Sequence, residues 1–294
     1  MMVTKDIKPL DISKVMPLIK LAVEEDFGDG DPTSRITIPQ DKVTKTLLRS
    51  RQDIVVCGMA IAREVLKCYD MDLHIEIFKA DGSKALEGDV IAEIKGPLRP
   101  MLSAERVLLN FLQRLSGVAT LTSRYVKEVE GTKAGIYDTR KTTPGWRELE
   151  KYAVRCGGGF NHRYNLGDAV MLKDNHFAHL GEDHAAELKK FVDQSRSTPG
   201  VKFVSVEVDH VDWQLDVVLN VSGVDIILLD NMTVDEYKLA VDKRNLVCGS
   251  KPLLEASGGI TLDNLRQIAL TGVERISIGA ITHGAKAVDI GLDK

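Results

Sequence analysis

The sequence predicts an α/β protein in two parts, an N-terminal α+β sandwich followed by a closed or nearly closed β/α barrel. Three observations carry this. From about residue 135 onward, a short apolar run that ends in polar residues is followed by a helical stretch, and the unit recurs. The polar ends at Glu207, Asp230, Glu255 and Ser277 fall a little over twenty residues apart, the length of one strand and its helix. Several of the runs, such as "FVSVEVD" and "VDIILLD", are apolar on both faces, as strands buried in a parallel sheet are. Residues 43 to 96 lack that rhythm and instead alternate short β-like runs with one helical stretch. A doubly wound open sheet is the other arrangement open to the second part.

Taken in order, residues 12 to 26 read as an amphipathic helix with Val15, Leu18, Ile19 and Ala22 on one side. Pro17 belongs in its first turn or so, where a missing N–H costs nothing. "FGDGDPTS" follows as a loop dense in turn formers. It lacks the ligand register and closing Glu of a calcium loop. "TLLRSRQDIVVCG", "LHIEIFKA" and "GDVIAEIKG" read as strands, 59 to 68 as a helix and "ADGSKALEGD" as a loop or hairpin. A long helix then starts near Ser103, its expected N-cap, with Val107, Leu108, Leu112, Leu115 and Val118 at near-helical spacing. The strands of the recurring unit are "GIYDTR", "AVMLKDNH", "FVSVEVD", "VDIILLDNM", "LLEASGG" and "RISIGA".

The chain has 294 residues, enough for one large or two modest domains. Lys plus Arg total 39 and Asp plus Glu 43, a net charge of −4. A nucleic-acid binder is more often basic overall. The four cysteines form no CxxC pair, so they read as reduced, mostly buried residues of a cytoplasmic protein. No signal-peptide core and no apolar run of membrane-spanning length is found. Met16, Met59, Met101 and Met171 read as core filling. His176, His179 and His184 fit no zinc motif and read as surface helix residues.

Against this acidic average, Arg140, Lys141, Arg147, Arg155, Arg163 and Lys173 crowd into under forty residues around the glycine run Gly157–Gly159. In a barrel the strand ends open on one mouth. Arg140, Lys141, Arg163 and Lys173 would form a basic wall there, which suits carboxylates and phosphates. Glu207 and Asp230 would lie opposite. Two carboxylates with no His or Cys at ligand spacing suit a hard cation such as Mg²⁺. Ser257, Gly258 and Gly259 before a helix, with Gly279 at the next strand end, suit a phosphate. "CGGGFNHR" is neither a Walker loop nor a dinucleotide fingerprint, and on composition it can be a tight loop alone. The inferred ligands are a polyanionic acceptor and a phosphorylated, metal-bound donor.

The stretches "EDFGDGDPTS", "ERVLLNFLQRLSGVAT", "DTRKTTPGWRELEKYAVRCGGGFNHR", "LGDAVMLKDNH", "IILLDNM", "EASGGI" and "SIGAITH" resemble the quinolinate phosphoribosyltransferase family from about residue 24 onward. The resemblance implies an incomplete, seven-stranded β/α barrel over residues 116–283 and a sandwich domain over 1–115, with 284–294 packing back on it. It implies transfer from phosphoribosyl pyrophosphate to quinolinate with decarboxylation, giving nicotinate mononucleotide, pyrophosphate and CO₂ for NAD biosynthesis, with Mg²⁺. Thr139, Arg140, Lys141, His162, Arg163 and Lys173 match substrate-binding positions. Arg106 matches an arginine contributed by the neighbouring subunit, so a homodimer is implied. Glu207 and Asp230 match the acidic pair near the ribose and metal, and with Lys141 they are the catalytic candidates. Ser257, Gly258, Gly259, Ile278, Gly279 and Ala280 match the phosphate turns. A paralogue with another anionic substrate, or a non-catalytic binder of anionic metabolites, is the alternative.

Overall fold

The computed structural model describes residues 7–173, 176 and 183–293. In chain order its elements are α1 (Ile12–Phe27), α2 (Pro32–Thr37), β1 (Val43–Ser50), β2 (Ile54–Val55), α3 (Met59–Tyr69), β3 (His74–Ile77), β4 (Lys84–Ala85), β5 (Val90–Pro97), α4 (Leu98–Glu128), β6 (Gly135–Tyr137) and α5 (Arg147–Cys156). There follow β7 (Val170–Leu172), α6 (His184–Ser197), β8 (Val204–Val208), α7 (Trp213–Leu219), β9 (Ile226–Asp230), α8 (Val234–Cys248), β10 (Leu253–Ser257), α9 (Leu262–Ala269), β11 (Arg275–Ser277), α10 (Ala280–His283) and β12 (Ile290–Asp293). The chain forms two units. One holds residues up to Arg124, Lys141–Gly159 and the chain from Ala280, and the other holds Tyr125–Arg140 and Phe160–Gly279.

In the first unit, an antiparallel sheet runs β12–β1–β5–β3. β1 buries Thr46, Leu48 and Ser50 in alternation, the pattern of a strand with one covered face. The C-terminal strand β12 pairs along β1, with Leu48 opposite Leu292. α1 runs past Pro17, which sits beyond its first turn. Burial of Val15 and Ile19 and the Asp11 cap on Ser13 N–H carry the helix through that lost hydrogen bond. "FGDGDPTS" is only half a loop, because Asp31 caps α2 and Pro32 occupies its first turn.

The long helix α4 starts at Leu98, ahead of the expected Ser103 cap. Ser103 lies inside it and donates its hydroxyl to Arg99 O and Asp31 Oδ2. Pro100 falls in the first turn, where no N–H is needed. Val107, Leu108, Leu112, Leu115 and Val118 are all buried. The glycine run answers to this helix. A Cβ on Gly157 would stand 2.4 Å from Ala119 O and 2.6 Å from Thr122 Cβ. Close backbone packing therefore requires glycine there. Of the cysteines, Cys57 and Cys156 are buried, but Cys68 and Cys248 are exposed.

The second unit holds a parallel sheet of six strands, β6–β11–β10–β9–β8–β7. Beside β6, Phe160 makes a single parallel bridge to Tyr137. Against the expected seven strands there are thus, among the described residues, six strands and one bridge. The chain turns away at once after Phe160, because His162 N–H is drawn to Asp138 Oδ1 at 2.8 Å. Val206, Ile227, Leu229, Leu254 and Ile276 have no exposed surface. Each such side chain contributes about 1.5–3 kcal/mol on burial. Glu255 departs from the strand-end expectation, being 0% exposed and two residues short of the end of β10, whereas Ser277 closes β11. The register explains this for Glu255: Ser257, two residues later, is the partner of Asp230. Met171 is half-buried and its sulfur faces Arg163 Nη2 at 3.5 Å, so it is more than filler.

Candidate active site

Parallel pairing brings the carboxyl ends of β6 to β11 to one edge of the second unit. Five of the expected charged residues gather there: Arg140, Arg163, Lys173, Glu207 and Asp230. Lys173, just past β7, places Nζ 2.8 Å from Glu207 Oε2 on β8. Burial raises the Glu207 carboxyl above its usual range, and Asp230 and Asp209 add repulsion, while Lys173 opposes the rise. Asp230 ends β9 and stands two residues beyond Leu228, the register partner of Glu207. The two acids are therefore staggered rather than opposite. Asp209 has its N–H on Gln214 Oε1 at 2.8 Å.

Arg163 donates Nη1 to Ala169 O at 3.0 Å. Burial, and after it the like charge of Arg140, lowers its guanidinium below the ordinary arginine value, with Glu207 pulling the other way. Arg140, Arg163 and Glu207 thus share one electrostatic neighbourhood. Thr139 and Arg140 are half-buried at the end of β6.

The stretch Ser257–Gly259 forms a tight turn against Asn231. Asn231 takes a left-handed backbone, φ 54°, and donates N–H to Ser257 O at 2.9 Å. Its side chain donates to Asp230 Oδ2 at 2.6 Å. A Cβ on Gly258 would meet Asn231 Oδ1 at 2.2 Å, so glycine is obligatory there. A Cβ on Gly259 would meet nothing within 4 Å, so its surroundings are open. Thr261 then caps α9. Ile278 is buried and donates its N–H to Tyr137 O at 2.9 Å, with Gly279 next.

Lys141, Arg106 and Ala280 belong to the first unit. Lys141 is exposed, and its carbonyl accepts from Thr282 Oγ1 at 2.7 Å. Arg106 is exposed on α4, and Ala280 opens α10. His176 is exposed and its Nδ1 accepts Lys173 N–H at 3.0 Å, while His184 opens α6. His179 lies outside the described residues.

His162 is 8% exposed and lies 3.2 Å from Glu255 through Nε2. Glu255 also accepts from Arg275 Nε at 2.5 Å. Glu255 and Arg275 are site-adjacent residues that strand-end counting misses. One signal was available: "ERISIGA" puts an arginine inside a short apolar strand, and a buried charge needs a partner.

Two family models cover nearly the whole chain. "Quinolinate phosphoribosyl transferase, N-terminal domain" matches residues 31–116, and the corresponding C-terminal domain matches 118–293. The nicotinate-nucleotide pyrophosphorylase (carboxylating) of Mycobacterium leprae is 39% identical over 94% of this chain and 95% of its own length. The probable enzyme of the same name in Bacillus subtilis is 38% identical over 92% and 89%. The solved nicotinate-nucleotide pyrophosphorylase of Francisella tularensis superposes with a TM-score of 0.88 at 37% identity, over 99% of both chains. With both halves matched and the basic strand-end cluster in place, the chain belongs to the quinolinate phosphoribosyl transferase family.

Proposed function

We propose that the protein transfers the phosphoribosyl group of phosphoribosyl pyrophosphate to quinolinate and releases CO₂, giving nicotinate mononucleotide and pyrophosphate. One observation carries this: Arg140, Arg163, Lys173, Glu207 and Asp230 gather at the carboxyl ends of the parallel strands, with Lys173 Nζ 2.8 Å from Glu207 Oε2. Planar guanidiniums beside a lysine suit a pyridine dicarboxylate.

Arg140, Arg163 and Lys173 hold the acceptor so that its ring nitrogen faces the anomeric carbon. The nitrogen attacks that carbon as the bond to pyrophosphate breaks. Lys141, next in the chain to Arg140, neutralises the departing group. Ser257, Gly258 and Gly259, with Ile278, Gly279 and Ala280, hold the 5′-phosphate by backbone N–H groups. Glu207 and Asp230 orient the ribose hydroxyls and favour the positive charge that develops on the ribose. The product ring is a cation, so the 2-carboxylate leaves as CO₂, the bonding pair stays on the ring carbon, and a solvent proton replaces it.

Mg²⁺ fits the donor set. Glu207 Oε2 is taken by Lys173 and Asp230 Oδ2 by Asn231, each side chain having a second oxygen, and hard oxygen donors suit this ion. When bound it would neutralise pyrophosphate charge. Arg106 would reach the site of the adjoining protomer in a homodimer. The four free cysteines fit a reducing compartment such as the cytoplasm. Among the described residues, no helix is long and apolar enough to cross a membrane.

The decisive assay measures pyrophosphate and CO₂ release from quinolinate and phosphoribosyl pyrophosphate, with and without Mg²⁺. Stoichiometric, Mg²⁺-dependent release is expected. Quinolinate binding without release would indicate the binding-protein alternative.

A further inference from the structure

Two residues short of the end of β10, Glu255 is fully enclosed. Its Oε2 accepts from Arg275 Nε, and its Oε1 faces His162 Nε2. The Arg275 guanidinium lies 3.6 Å from the centre of the Tyr137 ring, a further restraint on its place. On the far side of the imidazole, Nδ1 accepts the backbone N–H of Arg163 at 2.7 Å. A ring nitrogen that accepts keeps its lone pair, so the His162 proton sits on Nε2, toward the carboxylate. The ring stands edge-on to Phe203, with centroids 5.5 Å apart.

We propose that Glu255, clamped by Arg275, is a positioning residue that holds His162 as the Nε2–H tautomer and thereby fixes the backbone from which Arg163 reaches the acceptor. His162 then acts through Arg163 and not as a cationic ligand of the substrate. Burial alone would raise the Glu255 carboxyl, but the N–H of His162 and the N–H and charge of Arg275 outweigh it and hold it below the usual carboxylate range. Its acceptor oxygens are therefore present at every working pH.

A neutral amide cannot replace it. Arginine only donates, so the amide introduced by Glu255→Gln would turn its oxygen to Arg275 and its NH₂ to His162. The imidazole would then accept at Nε2 and move its proton to Nδ1, where it meets the Arg163 N–H head-on.

The test uses histidine-selective ¹⁵N spectra of the wild type and Glu255→Gln, with His162 assigned through His162→Gln. Kinetics in both substrates accompany the spectra. Wild type should show a protonated Nε2 and an accepting Nδ1, and Glu255→Gln should show the reverse. The quinolinate KM of Glu255→Gln should rise about 10- to 100-fold, with the donor KM unchanged. Glu255→Asp, which keeps two acceptor oxygens, should restore the wild-type tautomer and part of the KM. A wild-type proton on Nδ1, or a Glu255→Gln variant with unchanged tautomer and KM, overturns the inference. The kinetic arm rests on the proposed function and the spectral arm does not. A wild type that turns over nothing removes the functional reading, and the tautomer pair alone then decides the role of Glu255.

Discussion

Glu207 and Glu255 are register partners of the same residue, Leu228, on the two strands that flank β9. They share a level in one sheet and behave oppositely. Glu255 is held at about 2, while Glu207 is raised above its usual range. Burial opposes ionisation at both, and the partners differ. Glu255 has Arg275 and His162, one on each oxygen. Glu207 has Lys173, whose side chain is 45% exposed, and two acidic neighbours. Register sets where a carboxylate stands, and the number and enclosure of its donor partners set what it does there. Glu255 is enclosed with its partners, whereas Glu207 pairs with a half-exposed lysine.

The largest test of that contrast removes the locked acid outright. Glu255→Ala strands a largely buried Arg275 and should cost roughly 3–5 kcal/mol in urea unfolding. A loss under about 1 kcal/mol would erase the distinction. Next comes the open side. Arg140→Ala should cut quinolinate turnover by about 10²–10³-fold. Wild-type turnover in that variant would remove the basic wall from the site.

Smaller effects follow from pH, and their signs are opposed. A lowered carboxyl stabilises the fold above its ordinary value, and Glu255 should lose that contribution as pH falls from 4.5 toward about 2. A raised carboxyl favours the fold only while protonated, so Glu207 costs stability as pH rises through its ordinary value. Glu207→Gln should therefore lose activity yet melt about 2 °C higher at neutral pH. A lower midpoint would show that the Lys173 pair outweighs burial. The smallest effect belongs to Lys202 and Asp168, an outer pair at 2.9 Å whose lysine is 68% exposed. Lys202→Ala should change stability by less than about 1 kcal/mol, and a larger loss would mean that exposure does not grade these pairs.

Much of the strand-end cluster could be read from sequence because strand ends in a β/α repeat are marked by abrupt polarity. Arg140, Lys173, Glu207 and Asp230 each follow an apolar run, and the structure sets them on one edge. Glu255 follows an apolar run too, yet it lies inward. Strand polarity does not reveal which of two residues in "EAS" reaches the rim, and pairing of Ser257 with Asp230 decides it. The glycine run reads on composition as a tight loop alone, and packing gives the reason: Gly157 lies against the backbone of α4.

By itself, the sequence determined the repeating strand–helix order, the buried apolar strands, the Ser-Gly-Gly turn and the family, because these depend on local periodicity and on short uninterrupted motifs. Tertiary structure alone decided which carboxylate is enclosed and which is open, where α4 begins, and that Glu255 and Arg275 stand beside His162. Those outcomes turn on which distant groups come within a few ångströms of one another, and register and packing set those distances.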